Sequence, residues 1–194
     1  MKKNIKRIIY LLTIVFFFCS CLKPSMVEKD TSAGFNGSFE KIIHGLPANW
    51  YIYAAFAYQK TYLLSYDTVN PKEGKQSLKF EVLSVDTSNV YQSWRRPGIF
   101  ETTEAQSGDQ YMVSFWIKNK GCDFSIKVTS FGLGVYPENI VKTNRDFTDW
   151  TYFDYQYTIP DSSRSIRLEL NIQSPGTFWI DDVRLDKLNE TSPD

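Results

Sequence analysis

Histidine is almost missing from this chain: His44 is the only one in 194 residues. It sits in the loop-like run IIHGLP with no serine or cysteine nearby to activate. A Ser-His or Cys-His nucleophile is therefore excluded there, and a turn or surface role is left. The sequence also lacks G-x-S-x-G, H-E-x-x-H, a phosphate-binding glycine loop and any Cys/His cluster with zinc spacing. Positive charge is in no excess, with 22 Lys and Arg facing 22 Asp and Glu, and no basic stripe offers itself to nucleic acid. No apolar run approaches the ~20 residues that a membrane-spanning helix needs. Nor does any stretch of ten or more residues hold a 3.6-residue apolar period between caps, which argues against an α-helical domain.

What is present begins with a leader. Lys2, Lys3, Lys6 and Arg7 precede the apolar segment IIYLLTIVFFF at 8–18, the layout of a secretory signal. It closes on FCSCLKPS, which resembles the lipobox of bacterial lipoproteins, where cleavage falls before a cysteine that then carries lipid. Phe18 stands where that motif usually has leucine. This reading gives a signal at 1–20, a polar tether at 21–33 starting at a lipidated Cys21, a domain at 34–188 and a tail at 189–194. It places the protein at the bacterial cell envelope, on the outer membrane, in contact with lipid only through its anchor, with periplasmic and surface display both open. Ordinary secretion with two free cysteines at the cut site is the alternative. With Cys19 removed and Cys21 acylated, Cys122 is left alone, and one thiol makes no internal disulfide. Without the four basic leader residues, 18 cations face 22 anions, a net charge of −4.

Beyond the tether, short runs of Val, Ile, Thr, Phe and Tyr are broken by Gly, Pro, Asn, Asp and Ser. SLKFEVLSV (77–85) turns Leu78, Phe80 and Val82 to one face. YMVSFWIKNKG (111–121) turns Tyr111, Val113, Phe115 and Ile117 inward and Trp116 and Lys118 outward. FSIKVTSF and SIRLELNIQ repeat the period of two, with Ile126, Val128, Ile166, Leu168, Leu170 and Ile172 inward. Arg167, Glu169 and Asn171, with Lys127 and Thr129, then point out. NWYIYAAFAYQKTYLL (49–64) is ambiguous, since its alanines would support a helical turn. Many short strands between turn signals predict an all-β sandwich.

The order NGSFE, LPANW, PKEGKQSLKFEV, GDQYMVSFWIKNKG, DFTDWTYFDYQYTIP, SIRLELNI, GTFWIDDVRL resembles the family 4/9/22 type of carbohydrate-binding module, a β-jelly roll of the galactose-binding-like group. The resemblance implies a single-domain jelly roll with its first and last strands close together, and often a structural Ca²⁺ between them. Glu40, Glu73, Asp181 and Asp182 are its candidate ligands, because Ca²⁺ takes six to eight oxygens and would relieve the repulsion of the Asp pair. The alternative is a solvated edge or a bulge, one Asp capping a turn and the other exposed. The resemblance also assigns Trp50 and Trp150 mainly to packing.

A sugar site needs aromatic faces for pyranose C–H surfaces and convergent polar groups for hydroxyls. Trp94 and Trp116, with Arg167, Glu169 and Asn171, are the residues expected to bind a polysaccharide or oligosaccharide without catalysis. The tyrosine-rich run at 51–66 is the second location. An assembly lipoprotein using the same face against neighbouring envelope proteins is the alternative function. A glycan hydrolase would need a second carboxylate opposite Glu169.

Overall fold

The computed structural model describes residues 35–88, 93–132 and 134–188. The expected leader, Cys21, the expected tether and the expected tail at 189–194 lie outside the described residues.

Two five-stranded antiparallel sheets make a sandwich. One runs β10 (Phe147–Thr158), β7 (Gln110–Lys120), β12 (Gly176–Lys187), β5 (Ser77–Val82), β4 (Tyr62–Asp67). The other runs β3 (Tyr51–Tyr53), β6 (Gly98–Glu104), β11 (Ser165–Ile172), β8 (Phe124–Thr129), β9 (Glu138–Thr143). A small hairpin, β1 (Ile42–Ile43) and β2 (Leu46–Pro47), turns at His44, which takes a left-handed φ of 52° there. No α-helix occurs among the described residues. The ambiguous alanine run makes one 3₁₀ turn, Ala55–Ala57, entered through a left-handed Ala54. From β5 onward the chain changes sheets at almost every connection, the weave of a jelly roll.

The alternation seen in the sequence sets the core. Val113, Phe115 and Ile117 of β7, Leu78 and Phe80 of β5, and Ile126, Ile166 and Ile172 of the opposing sheet are all buried. Phe124 of β8 meets Phe178 of β12 at 4.7 Å between ring centroids, joining the two sheets. Trp50 is also buried, packed on Phe35 and Phe39 and donating its indole N–H to the Asn36 carbonyl at 3.1 Å.

Along β12 the period of two breaks once. Phe178 and Ile180 face the core, and so do Val183 and Leu185, so one extra residue is inserted. The register against β7 shifts between Asp181 and Arg184, and Asp182 has φ +46°. The Asp pair is a β-bulge, a device that lets a strand absorb an extra residue and re-aim its side chains.

Candidate functional site

The outer face of the β3-β6-β11-β8-β9 sheet collects the polar residues of β11. In register, Tyr51 lies beside Phe100, Phe100 beside Glu169, and Glu169 beside Lys127. One step along, Tyr53 lies beside Gly98, which pairs with Asn171. Gly98 is obligatory, because a Cβ there would stand 1.9 Å from the Leu170 carbonyl oxygen. With no side chain at Gly98, Tyr53 reaches across β6 and donates its hydroxyl to Glu169 at 2.7 Å. Burial first, and then the Glu169 carboxylate, raise the Tyr53 pKa, so the phenol stays a donor. Lys127 donates to the other Glu169 oxygen at 3.2 Å and to Asn171 at 3.4 Å.

Arg167 is fixed by stacking. Its Nε donates to Thr102 at 2.9 Å, and its guanidinium carbon lies 4.3 Å from the Phe100 ring centroid and 4.4 Å from that of Phe131. Tyr51 stacks on Phe100 in turn, at 5.1 Å and an interplanar angle of 14°. Four planar groups, Phe131, Arg167, Phe100 and Tyr51, thus form a ladder across the sheet. Tyr51 and Phe131 remain exposed at its ends. A cleft of about 490 Å³ lies along this face, lined by Tyr53, Lys127, Phe131, Arg167 and Glu169, with Arg96 among the rest. The aromatic faces supply stacking surface and the fixed donors supply orientation, the two needs of a sugar site.

The structure brings Arg167, Glu169, Asn171, Lys127 and Thr129 together as expected, but not the two tryptophans. Trp94 belongs to the 3₁₀ turn Ser93–Arg95 beside β3, is 52% exposed, and accepts the Ala54 N–H on its carbonyl at 2.9 Å. It is not part of the cleft lining. Trp116 does face away from the core, but on β7 of the other sheet, where it packs on Tyr152 at 5.0 Å under the Lys72 ammonium, 3.6 Å from its ring centroid. The two sheets have opposite outer faces, so Trp116 and Arg167 point to opposite sides of the molecule. Trp150 joins Trp116 there and is not in the core; Lys118 lies 4.6 Å from its ring centroid and 5.0 Å from that of Trp179.

Tyr51, Tyr53, Phe100, Thr102, Phe131 and Arg96 were not expected as a group, although Tyr51 and Tyr53 fall in the tyrosine-rich run. For Tyr51, Tyr53 and Phe100 the available signal was their placement beside Ile52 and Ile99. Glu169 is the only carboxylate among the described residues lining the cleft, so the acid pair of a glycosidase is not assembled there. A wider depression of about 840 Å³, lined in part by Glu104, Asp109, Arg164 and Lys187, lies elsewhere. Its Asp109 and Lys187 are already paired at 3.1 Å, and Tyr111 is its only aromatic residue, so it lacks a stacking floor.

The four acids expected around calcium are held otherwise. Asp181 is fully buried and accepts the N–H groups of Lys72 (2.7 Å), Glu73 (3.0 Å) and Asp182 (2.8 Å). Burial pushes its carboxyl up to about 7 against the pull of those donors. Glu40 accepts the N–H groups of Lys75 and Gln76 at 2.7 and 3.1 Å. Asp182 and Glu73 flank Arg184, at 2.6 and 3.1 Å. Burial and the neighbouring Glu73 raise the Asp182 carboxyl to about 6, while Arg184 opposes the rise. Among the described residues no three His, Cys, Asp or Glu side chains are grouped to hold a metal. Oxygens aimed at N–H donors and a guanidinium do not fit a calcium cage. The positive charge beside Asp182 and Glu73 is Arg184.

Residues 32–177 match the family model of a carbohydrate binding domain, CBM_4_9. None of the curated proteins matches the chain. Among solved structures, the chain is similar to one described as "CBM4 structure and function", at 19% identity over 78% of this chain and 97% of that one, with a TM-score of 0.54. It is also similar to a xylan-binding domain from CBM 22 (14% identity, 84% and 99% covered, TM-score 0.54). The CBM22-1 xylan-binding domain of Paenibacillus barcinonensis Xyn10C is similar again (14%, 80% and 94%, 0.54). At these identities the likeness to solved structures is one of fold, while the family model takes in most of the sequence: the chain belongs to the CBM_4_9 family of carbohydrate-binding domains.

Proposed function

We propose that this protein is a non-catalytic, lipid-anchored module of the bacterial cell envelope that holds a polysaccharide or oligosaccharide on the outer face of the β3-β6-β11-β8-β9 sheet. The observation that carries the site is the ladder of Tyr51, Phe100, Arg167 and Phe131 beside the bonded set Tyr53, Glu169, Lys127 and Asn171. The exposed end rings of the ladder, Tyr51 and Phe131, stack on the apolar faces of sugars, and the polar groups that line the cleft, Tyr53, Glu169 and Lys127, meet their hydroxyls. Membership of a carbohydrate-binding family supports the ligand class.

A glycan array with the purified protein, followed by titration of the hits, tests the site. Losing a stacked ring costs about 1–3 kcal/mol, a tenfold to hundredfold loss of affinity. Phe131→Ala is expected to lose that much, whereas Trp116→Ala, on the opposite face, is expected to bind as wild type. A folded Phe131→Ala protein with undiminished binding would place the site elsewhere.

The anchor rests on FCSCLKPS at 18–25. Cys21→Ala is expected to move the protein from the membrane fraction to the soluble one or leave it unprocessed; acylated, membrane-bound Cys21→Ala protein would refute the anchor.

A further inference from the structure

The cleft carries more positive charge than its own carboxylate neutralises. Arg96, Lys127 and Arg167 line it against one acid, Glu169. Glu169 is already committed to Lys127 and to the Tyr53 hydroxyl. Neither Arg96 nor Arg167 has a carboxylate partner among the described residues. Glu101, on the inner side of β6, acts on Arg167 through its charge but makes no ion pair with it. The other nearby acids face other groups, Asp86 pairing with Arg95 at 3.6 Å and Glu138 accepting the Tyr155 hydroxyl at 2.5 Å. Arg96 also keeps its Nε buried without a hydrogen-bond partner, an arrangement that is unfavourable unless something supplies an acceptor.

Arg167 is built to receive an anion. Held in plane between Phe100 and Phe131 and tied at Nε to Thr102, its fork has lost most of its rotamer freedom before any ligand arrives. A planar guanidinium matches a carboxylate or sulfate with two parallel bonds, and these charge-assisted bonds are about twice as strong as neutral ones. A neutral sugar chain has only hydroxyls to offer two such groups.

We infer that the cleft takes an anionic glycan, a chain whose sugar units carry a carboxylate or a sulfate, with Arg96 and Arg167 as the groups that bind the anion. The inference rests on the proposal that this face binds glycan, and narrows its ligand.

Binding is measured by calorimetry for oligosaccharides of polygalacturonate, alginate, glucuronoxylan and hyaluronan, each native and carboxyl-reduced, and for a sulfated galactan before and after desulfation. At least one charged member is expected to bind about tenfold or more tightly than its neutralised counterpart, the ratio shrinking between 50 and 500 mM salt as screening grows. The carboxylate and sulfate arms identify which anion is read. Arg96→Gln, confirmed as folded by its melting curve, is expected to narrow the charged-to-neutral ratio. Equal binding of charged and neutralised partners would overturn the anionic assignment while leaving glycan binding intact. Binding to no chain on this panel or on a broad neutral array would overturn glycan binding itself.

Discussion

Asp181→Ala is expected to lower the melting temperature by about 10 °C. Its carboxylate is fully buried and is the acceptor for the N–H groups of Lys72, Glu73 and Asp182. Alanine leaves those donors without that acceptor. Each unsatisfied buried donor costs ~1–3 kcal/mol, and the removal of a desolvated carboxylate returns part of the total. A net loss of about 3 kcal/mol at roughly 2–4 °C per kcal/mol for a domain of this size gives the expected shift. The neighbouring residue should behave in the opposite way. Asp182 has a left-handed backbone at φ +46°, and Asp182→Gly relieves that strain while Arg184 keeps Glu73 as a partner. It is expected to be neutral or to stabilise by up to about 1 kcal/mol. Neither response should change when a chelator is added, because Arg184 is the local cation. A melting temperature that falls in chelator would restore calcium to this site, and equal effects at both positions would contradict the separate roles of the two acids.

Much of this fold was legible from alternation alone, and the limits of that signal are physical. On β7 and β11 the period of two assigns inward and outward faces correctly, residue by residue. A period says which face a side chain takes but not which sheet its strand joins. Trp116 and Arg167 both read as outward, and the sandwich separates them to opposite sides. β6 was silent for another reason. Its inward residues are Ile99, Glu101 and Thr103, and its outward ones include Phe100 and Thr102, so neither face is uniformly apolar. Glu101 lies on the inner side near the rim of the sandwich, its carboxyl raised by burial and one oxygen without a partner. An acid in that position hides a strand from any hydrophobic pattern, and with it the central ring of the platform. At the Asp pair, β-propensity flagged an anomaly, but bulge and metal site share the same residue types. The three N–H donors that decide between them come from two different segments of the chain.

The largest expected loss of binding is at Arg167. Arg167→Ala removes the charged donor and also the middle rung between Phe100 and Phe131, so affinity for the glycan that the array selects is expected to fall at least a hundredfold. Arg167→Lys should recover little of it. Lysine keeps the charge, but it presents neither a plane to stack between the rings nor a fork to bind in two places. Thermal unfolding should move far less than binding in both variants, since the ladder lies on the outer face and the core beneath it is untouched. Full rescue by lysine would show that Arg167 acts as a point charge and that its stacking is incidental.

The distribution of indoles has a practical consequence for anyone measuring the interaction. Trp50 is in the core, and Trp116, Trp150 and Trp179 sit among lysines on the far sheet. The rings at the cleft are Phe and Tyr. Tryptophan emission, the usual optical readout for modules of this kind, is then nearly blind to a ligand lying along Phe100 and Arg167, and a flat fluorescence titration would not mean that nothing had bound. Any spectral change that did appear would have to come from Trp94 beside β3, which makes that single exposed indole a reporter of how far an oligosaccharide extends past the edge strand.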